Sequence, residues 1–407
     1  MTTAGADMAT SGVPAAVARL FSRELADTLV GLRRDIHRHP ELAFNETGTA
    51  QRLLDALHSL GVDEVTRVGA TGLVVRVPGR NRTGPIVALR GDIDALPIQE
   101  ATSLPFASTI PGAMHACGHD VHAAWAVGAA ALLAAAPAAG DVLVVLQPAE
   151  ETGHGAMAIL ESGALDGVAA IFGGHVDRRF EVGQVVTDEG PLAASTDTFE
   201  IEVIGTGAHA ARPHESRDPI VAAAAIVGAL QSIVSRRLNP AAPGVVTIGS
   251  FHAGSAANII PDRARLSGTV RAVDQASRDL MLSEVARTSE SVARAYGTEA
   301  HLKLDRGTPP IVNPPLATRW ARRAAAQVLG ENAIVPLGFL NLAGEDFAHY
   351  MERIPGCFIR VGAREPGGDV IPAHAPTFYP AEESIFIGAA VLAECARVAS
   401  DGIAASP

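Results

Sequence analysis

The sequence predicts an α/β protein in which one domain is inserted into another. At 407 residues the chain is longer than a single hydrophobic core usually supports. Up to about residue 175, short apolar strands alternate with helices, which is typical of an open, largely parallel sheet flanked by helices. Over residues 197–305 the order changes to βαββαβ, the split arrangement of ferredoxin-like domains.

The first segment begins with two helices. Apolar residues recur at helical spacing from Ala15 to His39, and a second helix is expected from about Thr47 to Leu60, with Gly61 ending it. The elements predicted next are the strands "GLVVRV" and "PIVALRGD", a helix over 119–136, a strand over 141–147, a helix over 155–163 and a strand over 169–174.

The inserted segment and the return to the first domain follow. The elements expected in the insertion are strands over 197–205, 244–254, 263–273 and 299–305, with helices over 218–236 and 276–294. After a Pro-rich linker, the first domain resumes with a helix over 317–329, a helix from "GEDFAHYMERI", the strand "CFIRVGA" and a closing helix over 382–399. The predicted boundaries are 1–192, 193–305 and 306–407.

Composition and charge exclude several classes of function. Hydrophobic residues make up 48% of the chain and charged residues 19%, as in an ordinary globular protein. A net charge of -12 argues against nucleic acid or an anionic membrane as a partner. The chain has only three cysteines, too few for a disulfide framework, and its N-terminus, which we expect to be frayed, has no signal-peptide pattern. No run approaches the ~18 apolar residues that a membrane span requires. These features predict a cytoplasmic protein.

The stretch "GAMHACGHDVHAAW" (112–125) is the densest chemical motif, and it fits a metal site, a thiol nucleophile with its base, or a helix that carries imidazoles. Ligands in open α/β sheets bind beyond the carboxyl ends of the strands. The residues that follow the predicted strands are Asp92 and Asp94, the pair Glu150 and Glu151, and His175. We therefore expect these groups to meet the Cys-Gly-His segment.

Metal chemistry uses more of these residues than thiol chemistry does. Cys117 and His119 together with carboxylates suit Zn, Mn, Co or Ni. Of two adjacent glutamates, one binds metal and the other accepts a proton from the attacking water. A Cys117 nucleophile with His119 as base would leave the glutamates and His175 without a role. We expect His115 and His122 to support the site, and Asp120 to be a further ligand or a supporting group.

Six motifs occur in order and closely resemble the amidohydrolase branch of the aminoacylase-type metallopeptidase family, the M20 peptidases. They are "RGDIDALPIQE", "MHACGHDVHAA", "LQPAEETGHGAMAILESGAL", "GTGAHAARPHESRDPI", "AGSAANIIPDRARLSGTVR" and "AGEDFAHY". This branch holds hippurate hydrolases, N-acyl-amino-acid amidohydrolases and auxin-conjugate hydrolases. The resemblance covers about Leu32 to Ile387 and implies a zinc-peptidase-like catalytic domain with an inserted lid or dimerisation domain.

The resemblance also implies roles for particular residues. Those that match the ligands of two divalent ions are Cys117, His119, Glu151, His175 and His374. Glu150 matches the general base, and His209 matches a histidine that stabilises the oxyanion, in several relatives from the partner subunit. Asn258 and Arg271 match positions that hold polar groups and the terminal carboxylate of the substrate, although Arg271 is equally well an ordinary strand arginine.

The sequence departs from the family pattern in three places, the first of which is "GHDVHAA" where the family has Gly-His-Asp-Gly-His. Where relatives outside this branch have His-x-Asp, this chain has Asp92-Ile93-Asp94, so Asp94 is expected to support a ligand rather than to bind metal. The usual Gly-Leu-His-Val-Trp-Pro is "GGHVDRRF" here. We expect the replaced residues, Asp177, Arg178 and Arg179, to alter the rim of the pocket.

These observations predict a metal-dependent amidase that cleaves N-acyl amino acids or related small amides. A homodimer or higher homo-oligomer is expected from the lid. Two alternatives remain open at this stage. One is a dipeptidase or aminoacyl-peptidase with the same metal site, and the other is a metal-bearing binding protein that holds an acylated ligand without cutting it.

Overall fold

The computed structural model describes residues 12–405, which form two compact units. The larger unit contains residues 12–190, 313–339 and 346–405. The smaller unit contains Pro191–Val312 and Leu340–Glu345. The short return at 340–345 has no helix or strand, so the sequence pattern did not indicate it. The prediction of a frayed N-terminus concerns residues 1–11, which lie outside the described residues.

The α-helices of the described residues lie close to their predicted positions. Their bounds are α1 (Ala15–Ala18), α2 (Arg23–Arg38), α3 (Thr47–Ser59), α4 (His119–Ala135), α5 (Gly155–Glu161), α6 (Pro219–Ser232), α7 (Gln275–Ala295), α8 (Pro315–Leu329), α9 (Phe347–Met351) and α10 (Glu383–Ala404). The first predicted helix is divided into α1 and α2. The reason is local, because the Ser22 side chain accepts a hydrogen bond from the Leu25 backbone N–H and caps a new helix there.

The strands are numbered along the chain. Their bounds are β1 (Val65–Val68), β2 (Gly72–Val77), β3 (Ile86–Asp92), β4 (Val142–Gln147), β5 (Val168–Glu181), β6 (Val185–Val186), β7 (Gly190–Ala193), β8 (Asp197–Ile204), β9 (Ala208–His209), β10 (Gly244–Ala253), β11 (Ile259–Ile260), β12 (Arg263–Ala272), β13 (Glu299–Asp305), β14 (Ile311–Asn313) and β15 (Gly356–Arg364). β5 is much longer than predicted because it pairs with β15 as far as Glu181.

The larger unit is built on a seven-stranded sheet in the order β1-β2-β4-β3-β5-β15-β6. The four strands β4, β3, β5 and β15 are parallel to one another, and the strands outside them, β1, β2 and β6, pair antiparallel. Every residue of β4 is buried, as expected for a strand covered on both faces. The structure confirms the predicted mixed, largely parallel sheet, and the carboxyl ends of β3, β4 and β5 lie at one edge of it.

The smaller unit has a four-stranded antiparallel sheet in the order β10-β12-β8-β13. This order and the positions of α6 and α7 between the strands give the ferredoxin-like topology. Alternate residues of β8 are buried, as in a sheet with one covered face. The buried side chains on that face, including Phe199, Ile226 and Met281, form a core of their own.

One helical segment of the smaller unit is strongly apolar. Pro219–Arg237 has a mean hydropathy of 1.5 and is, by length and composition, long enough to cross a membrane. Its uninterrupted apolar run ends at Leu230, before Gln231 and Ser232, so it stays shorter than the ~18 apolar residues considered in the sequence analysis. The core helix of a soluble protein passes the same test, and Ala222, Ala223 and Leu230 of this segment are buried in the core of the smaller unit.

Candidate metal centre

The predicted metal ligands lie together at the carboxyl edge of the larger sheet. Cys117 and His119 flank the start of α4, Glu151 follows β4, and His175 lies within β5. His374 comes from the loop before α10, and its backbone N–H donates to the Ala116 carbonyl at 2.8 Å. Five residues from four separate segments of the chain therefore meet at one place.

Gly118 shapes the Cys-Gly-His segment. Its φ is 93°, in the left-handed region that favours glycine. An added Cβ would lie 2.5 Å from Cγ2 of Val176, the neighbour of His175. Glycine thus allows the start of α4 to approach β5 closely enough for Cys117 and His119 to face His175.

Distances between donor atoms define the centre. The Cys117 Sγ lies 3.2 Å from Nε2 of His175, and Nε2 of His374 lies 3.5 Å from Oε2 of Glu151. In two groups, Cys117 with His119 and His175, and Cys117 with Glu151 and His374, all the donor atoms lie within 4.8 Å of one another. Cys117 belongs to both groups, so the arrangement suits two adjacent cations.

Two buried donor atoms provide a direct test of whether these residues fit a metal. Among the described residues, neither Nε2 of His119 nor Oε1 of Glu151 has a hydrogen-bond partner. The two atoms lie 3.9 Å apart, too far for a hydrogen bond but close enough to bind one ion. A buried polar atom without a partner is costly. The thiol, imidazole and carboxylate donors therefore fit a pair of divalent ions.

Neighbouring groups fix the orientation of the predicted ligands. Nδ1 of His119 contacts the Asp94 carbonyl at 3.0 Å and Oδ1 of its side chain at 3.1 Å. The other carboxylate oxygen of Asp94 accepts from the backbone N–H of Glu151 at 3.0 Å. Nδ1 of His175 donates to the Val176 carbonyl at 2.7 Å. Both histidines are thereby held with Nε2 toward the centre.

Glu150 stands beside the ligands with its side chain 11% exposed. Its Oε2 lies 3.8 Å from Nε2 of His119, and its Oε1 accepts from the Asp346 backbone N–H at 3.3 Å. The preceding residue, Ala149, has a φ of 55°, and its backbone N–H donates to the buried Glu46 carboxylate at 2.9 Å. This tight turn brings one oxygen of each of the two adjacent glutamates close to Nε2 of His119, at 3.8 Å for Glu150 and 3.9 Å for Glu151.

The electrostatics disfavour Cys117 as a free nucleophile. Burial, reinforced by the negative charge of Glu151, raises the pKa of the Cys117 thiol well above its usual range. Reactive cysteines need the opposite shift and some exposure, whereas this residue is 7% exposed. Burial also lowers the pKa of His175 well below its usual range, so His175 is neutral, as a metal ligand must be.

His122 and Asp92, which the sequence places near the site, form a hydrogen-bonded chain under the centre together with Arg90, which the sequence does not single out. Nδ1 of His122 donates to Asp92 at 2.6 Å, and its Nε2 accepts from the Val176 backbone N–H at 2.9 Å. Arg90 binds the other oxygen of Asp92. Burial opposes the charge on Asp92, but Arg90 and the nearby histidines keep its pKa well below the usual range. The one available signal was an arginine within the apolar run of β3.

Two further predicted residues lie together in the smaller unit. His209, in β9, and Asn258 line a depression of about 670 Å³. The Ala211 backbone N–H donates to Nδ1 of His209 at 3.1 Å, so a neutral imidazole carries its proton on Nε2. That nitrogen can therefore donate a hydrogen bond to a ligand.

The structure does not bring Arg271 to this depression. Arg271 is the ninth residue of β12, which begins at Arg263 next to Asp262 of the depression. At ~3.3 Å per residue, the eight intervening steps separate Arg263 from Arg271 by roughly 26 Å. Arg271 is half-buried, and among the described residues its guanidinium makes no hydrogen bond or ion pair. His209 and Asn258 of one chain thus lie far from its Arg271.

Comparison with known proteins shows clear relatives. Residues 88–398 match the model of peptidase family M20/M25/M40. An N-acetylcysteine deacetylase of Bacillus subtilis is 40% identical over 92% of this chain and 97% of its own length. The IAA-amino acid hydrolase ILR1-like 4 of Arabidopsis thaliana is 37% identical over 95% of this chain and 89% of its own. The crystal structure of B. subtilis YXEP, described as a dinuclear metal-binding peptidase of the M20 family, superimposes with a TM-score of 0.82 and 37% identity, covering 93% and 99% of the two chains.

Proposed function

Because the chain belongs to peptidase family M20/M25/M40, and is thus a metal-dependent hydrolase of amide bonds, we propose that it removes the acyl group from N-acyl amino acids. Support for this substrate class comes from the deacetylase and the amino acid hydrolase among its relatives, which span nearly the whole chain. We propose Zn, Mn, Co or Ni as the bound ions and the cytoplasm as the location.

The observation that carries the proposal is the pair of unpartnered ligand atoms beside Glu150. Nε2 of His119 and Oε1 of Glu151 lie 3.9 Å apart. The Glu150 carboxylate lies beside them, with its Oε2 3.8 Å from Nε2 of His119. The ligands in this proposal are Cys117, His119, Glu151, His175 and His374. Bound divalent ions would supply Lewis-acid activation of water and of the amide carbonyl.

The chain's own groups then handle the protons. Glu150 accepts a proton from the attacking water and delivers it to the departing amide nitrogen. The Asp346 backbone N–H, which donates to Oε1, orients the Glu150 carboxylate and leaves Oε2 directed toward His119. His209 donates its Nε2–H to the oxyanion that forms on the substrate carbonyl.

The two substrate contacts of the smaller unit favour a homodimer. In one chain, Arg271 lies at the far end of β12 from His209 and Asn258. A small amide cannot bridge roughly 26 Å of strand. We therefore propose that one substrate takes His209 and Asn258 from one subunit and Arg271 from the other. The smaller unit, proposed over 193–305, then acts as lid and dimerisation domain.

A peptidase acting on a free amino terminus is the alternative within the family. Such a substrate needs an acidic group to receive its ammonium. Asp177, two residues beyond His175, is the nearest acid along β5, but Arg179 binds both of its oxygens, at 2.9 Å and 2.7 Å. Its charge is already neutralised, so it does not favour a peptidase.

A screen of N-acetyl, N-benzoyl and indole-acetyl amino acids tests the proposal, with free dipeptides run in parallel. Activity should vanish after EDTA dialysis and return when Mn, Zn, Co or Ni is added back. In Glu150→Gln, metal content should stay at the wild-type level while turnover falls about 10²- to 10⁴-fold, the usual contribution of a general base. Hydrolysis that continues unchanged after EDTA dialysis would contradict the proposal. Cleavage of the free dipeptides at a higher rate than the N-acyl amino acids would also contradict it.

A further inference from the structure

Arg178 does not lie on the pocket rim, where the sequence reading placed it together with Asp177 and Arg179. Its side chain is 1% exposed, and the guanidinium carbon lies 4.4 Å from the centre of the Tyr379 ring. A buried cation is costly unless its hydrogen bonds are satisfied. Its role must therefore be sought in the groups that it contacts.

Those groups belong to the loop that carries His374. Nη1 of Arg178 donates to the Tyr379 carbonyl at 2.9 Å, and Nη2 donates to the Asp369 carbonyl at 2.9 Å. Asp369 is five residues before His374, and Tyr379 is five residues after it. Nη1 also reaches the Ala363 carbonyl at 3.4 Å, and Nη2 lies 2.9 Å from the Glu365 carboxylate. One planar guanidinium thus ties together both ends of the loop.

Phe378 anchors one end of the loop in the core, but residues 369–377, which include His374, are exposed or half-buried. His374 has a φ of 68°, a left-handed conformation that is unfavourable for a residue with a Cβ. Its side chain is 52% exposed, so packing does not hold the imidazole in place. Strained residues persist only where the surrounding structure fixes them. The contacts from Ala101 to Pro376 and from His374 to Ala116 hold the middle of the loop. Contacts from Ala381 to Ala363 and from Arg364 to Gly368 hold its margins, but none of these four joins Asp369 to Tyr379 as Arg178 does.

We infer that Arg178 is a positioning residue for His374. By holding Asp369 and Tyr379 together, it keeps the imidazole Nε2 of His374 within reach of Glu151 and Cys117. The inference rests on the metal site of the proposed function. It concerns a residue that replaces the usual family pattern at this position, and Arg178 itself touches neither metal nor substrate.

Metal retention tests the inference without reliance on activity. The full-length protein is loaded with Zn²⁺, dialysed against a graded series of zinc–chelator buffers, and its remaining zinc is measured by atomic emission. The wild-type protein should hold two equivalents. In Arg178→Ala, one equivalent should require roughly 10- to 100-fold more free zinc, the usual effect of losing a group that orients a ligand. His374→Ala should lose the same equivalent.

Rescue separates positioning from a general loss of stability. Methylguanidinium should restore the weakened equivalent in Arg178→Ala but not in His374→Ala. Arg178→Lys keeps the positive charge but lacks the planar guanidinium, so its zinc retention should lie between those of the wild-type protein and Arg178→Ala. Arg397 is a matched control, because it also binds two carbonyls, those of Ala136 and Leu132, and a carboxylate, that of Glu394. Arg397→Ala should lower the melting temperature and leave both zinc equivalents unchanged.

Three results would overturn the inference. The first is that both Arg178 variants retain zinc as the wild-type protein does. The second is that the two zinc equivalents are weakened to the same extent in each variant. The third is that methylguanidinium does not restore zinc binding to folded Arg178→Ala. A wild-type protein that binds no zinc would overturn the metal site and this inference together. If two ions are bound but no acylated amino acid is cleaved, the proposed substrate fails while the role of Arg178 stands.

Discussion

Gly118→Ala tests how closely the start of α4 must approach β5. Two separate costs are expected. A residue with a Cβ at a φ of 93° costs about 1–2 kcal/mol of folding free energy. The new methyl group would also lie 2.5 Å from Cγ2 of Val176, which is buried and β-branched and so has little freedom to move. Such overpacking costs a further ~1–3 kcal/mol.

We therefore expect Gly118→Ala to lower the free energy of unfolding by about 2–5 kcal/mol. Gly112→Ala is the matched control, because Gly112 has a φ of 75° but open space around its Cβ position. It should show only the backbone cost. In the double variant Gly118→Ala, Val176→Ala, the smaller side chain at position 176 removes the overpacking. The double variant should therefore lose ~1–3 kcal/mol less unfolding free energy than the sum of the losses in the two single variants.

Urea unfolding followed by circular dichroism measures these differences, and zinc retention measures the effect on the centre. Because Cys117 and His119 flank Gly118, retention should fall in Gly118→Ala and stay normal in Gly112→Ala. The reasoning is refuted if the two glycine variants lose equal stability, or if the Val176 change adds to the Gly118 change without coupling.

Three further outcomes are expected. Burial lowers the pKa of His37, but Asp120 and Glu100 outweigh it and raise the pKa above its usual value. Its stabilisation is therefore complete below pH ~6.5 and lost as the pH rises through the raised pKa, so His37→Gln should destabilise more at pH 6 than at pH 9 in thermal melts. Asp94→Asn, which alters the contact to His119, should weaken zinc retention roughly 10- to 100-fold. All three cysteines are buried, and burial raises the pKa of Cys357 to about 12, so a thiol reagent at pH 8 should label none before denaturation and three after it.

Much of the fold was predictable because its signals are local. The apolar runs that became β3 and β4 have the composition of strands covered on both faces, and their order with the helices left few topologies. Errors arose where a distant partner decides the outcome. β5 extends to Glu181 because β15 runs beside it, and residues 340–345 join the smaller unit without any pattern of their own.

For the candidate site, the amino-acid sequence is sufficient to identify which chemical groups are available. Thiol, imidazole and paired carboxylates follow successive strands, and the position of a side chain after a strand is a local property. The tertiary structure alone decided what each group faces. Within residues 12–405, it left two ligand atoms of His119 and Glu151 without hydrogen-bond partners. It also placed Arg271 far from His209 and buried Arg178 against the His374 loop. These outcomes depend on packing between segments far apart in the chain, and no local pattern records that packing.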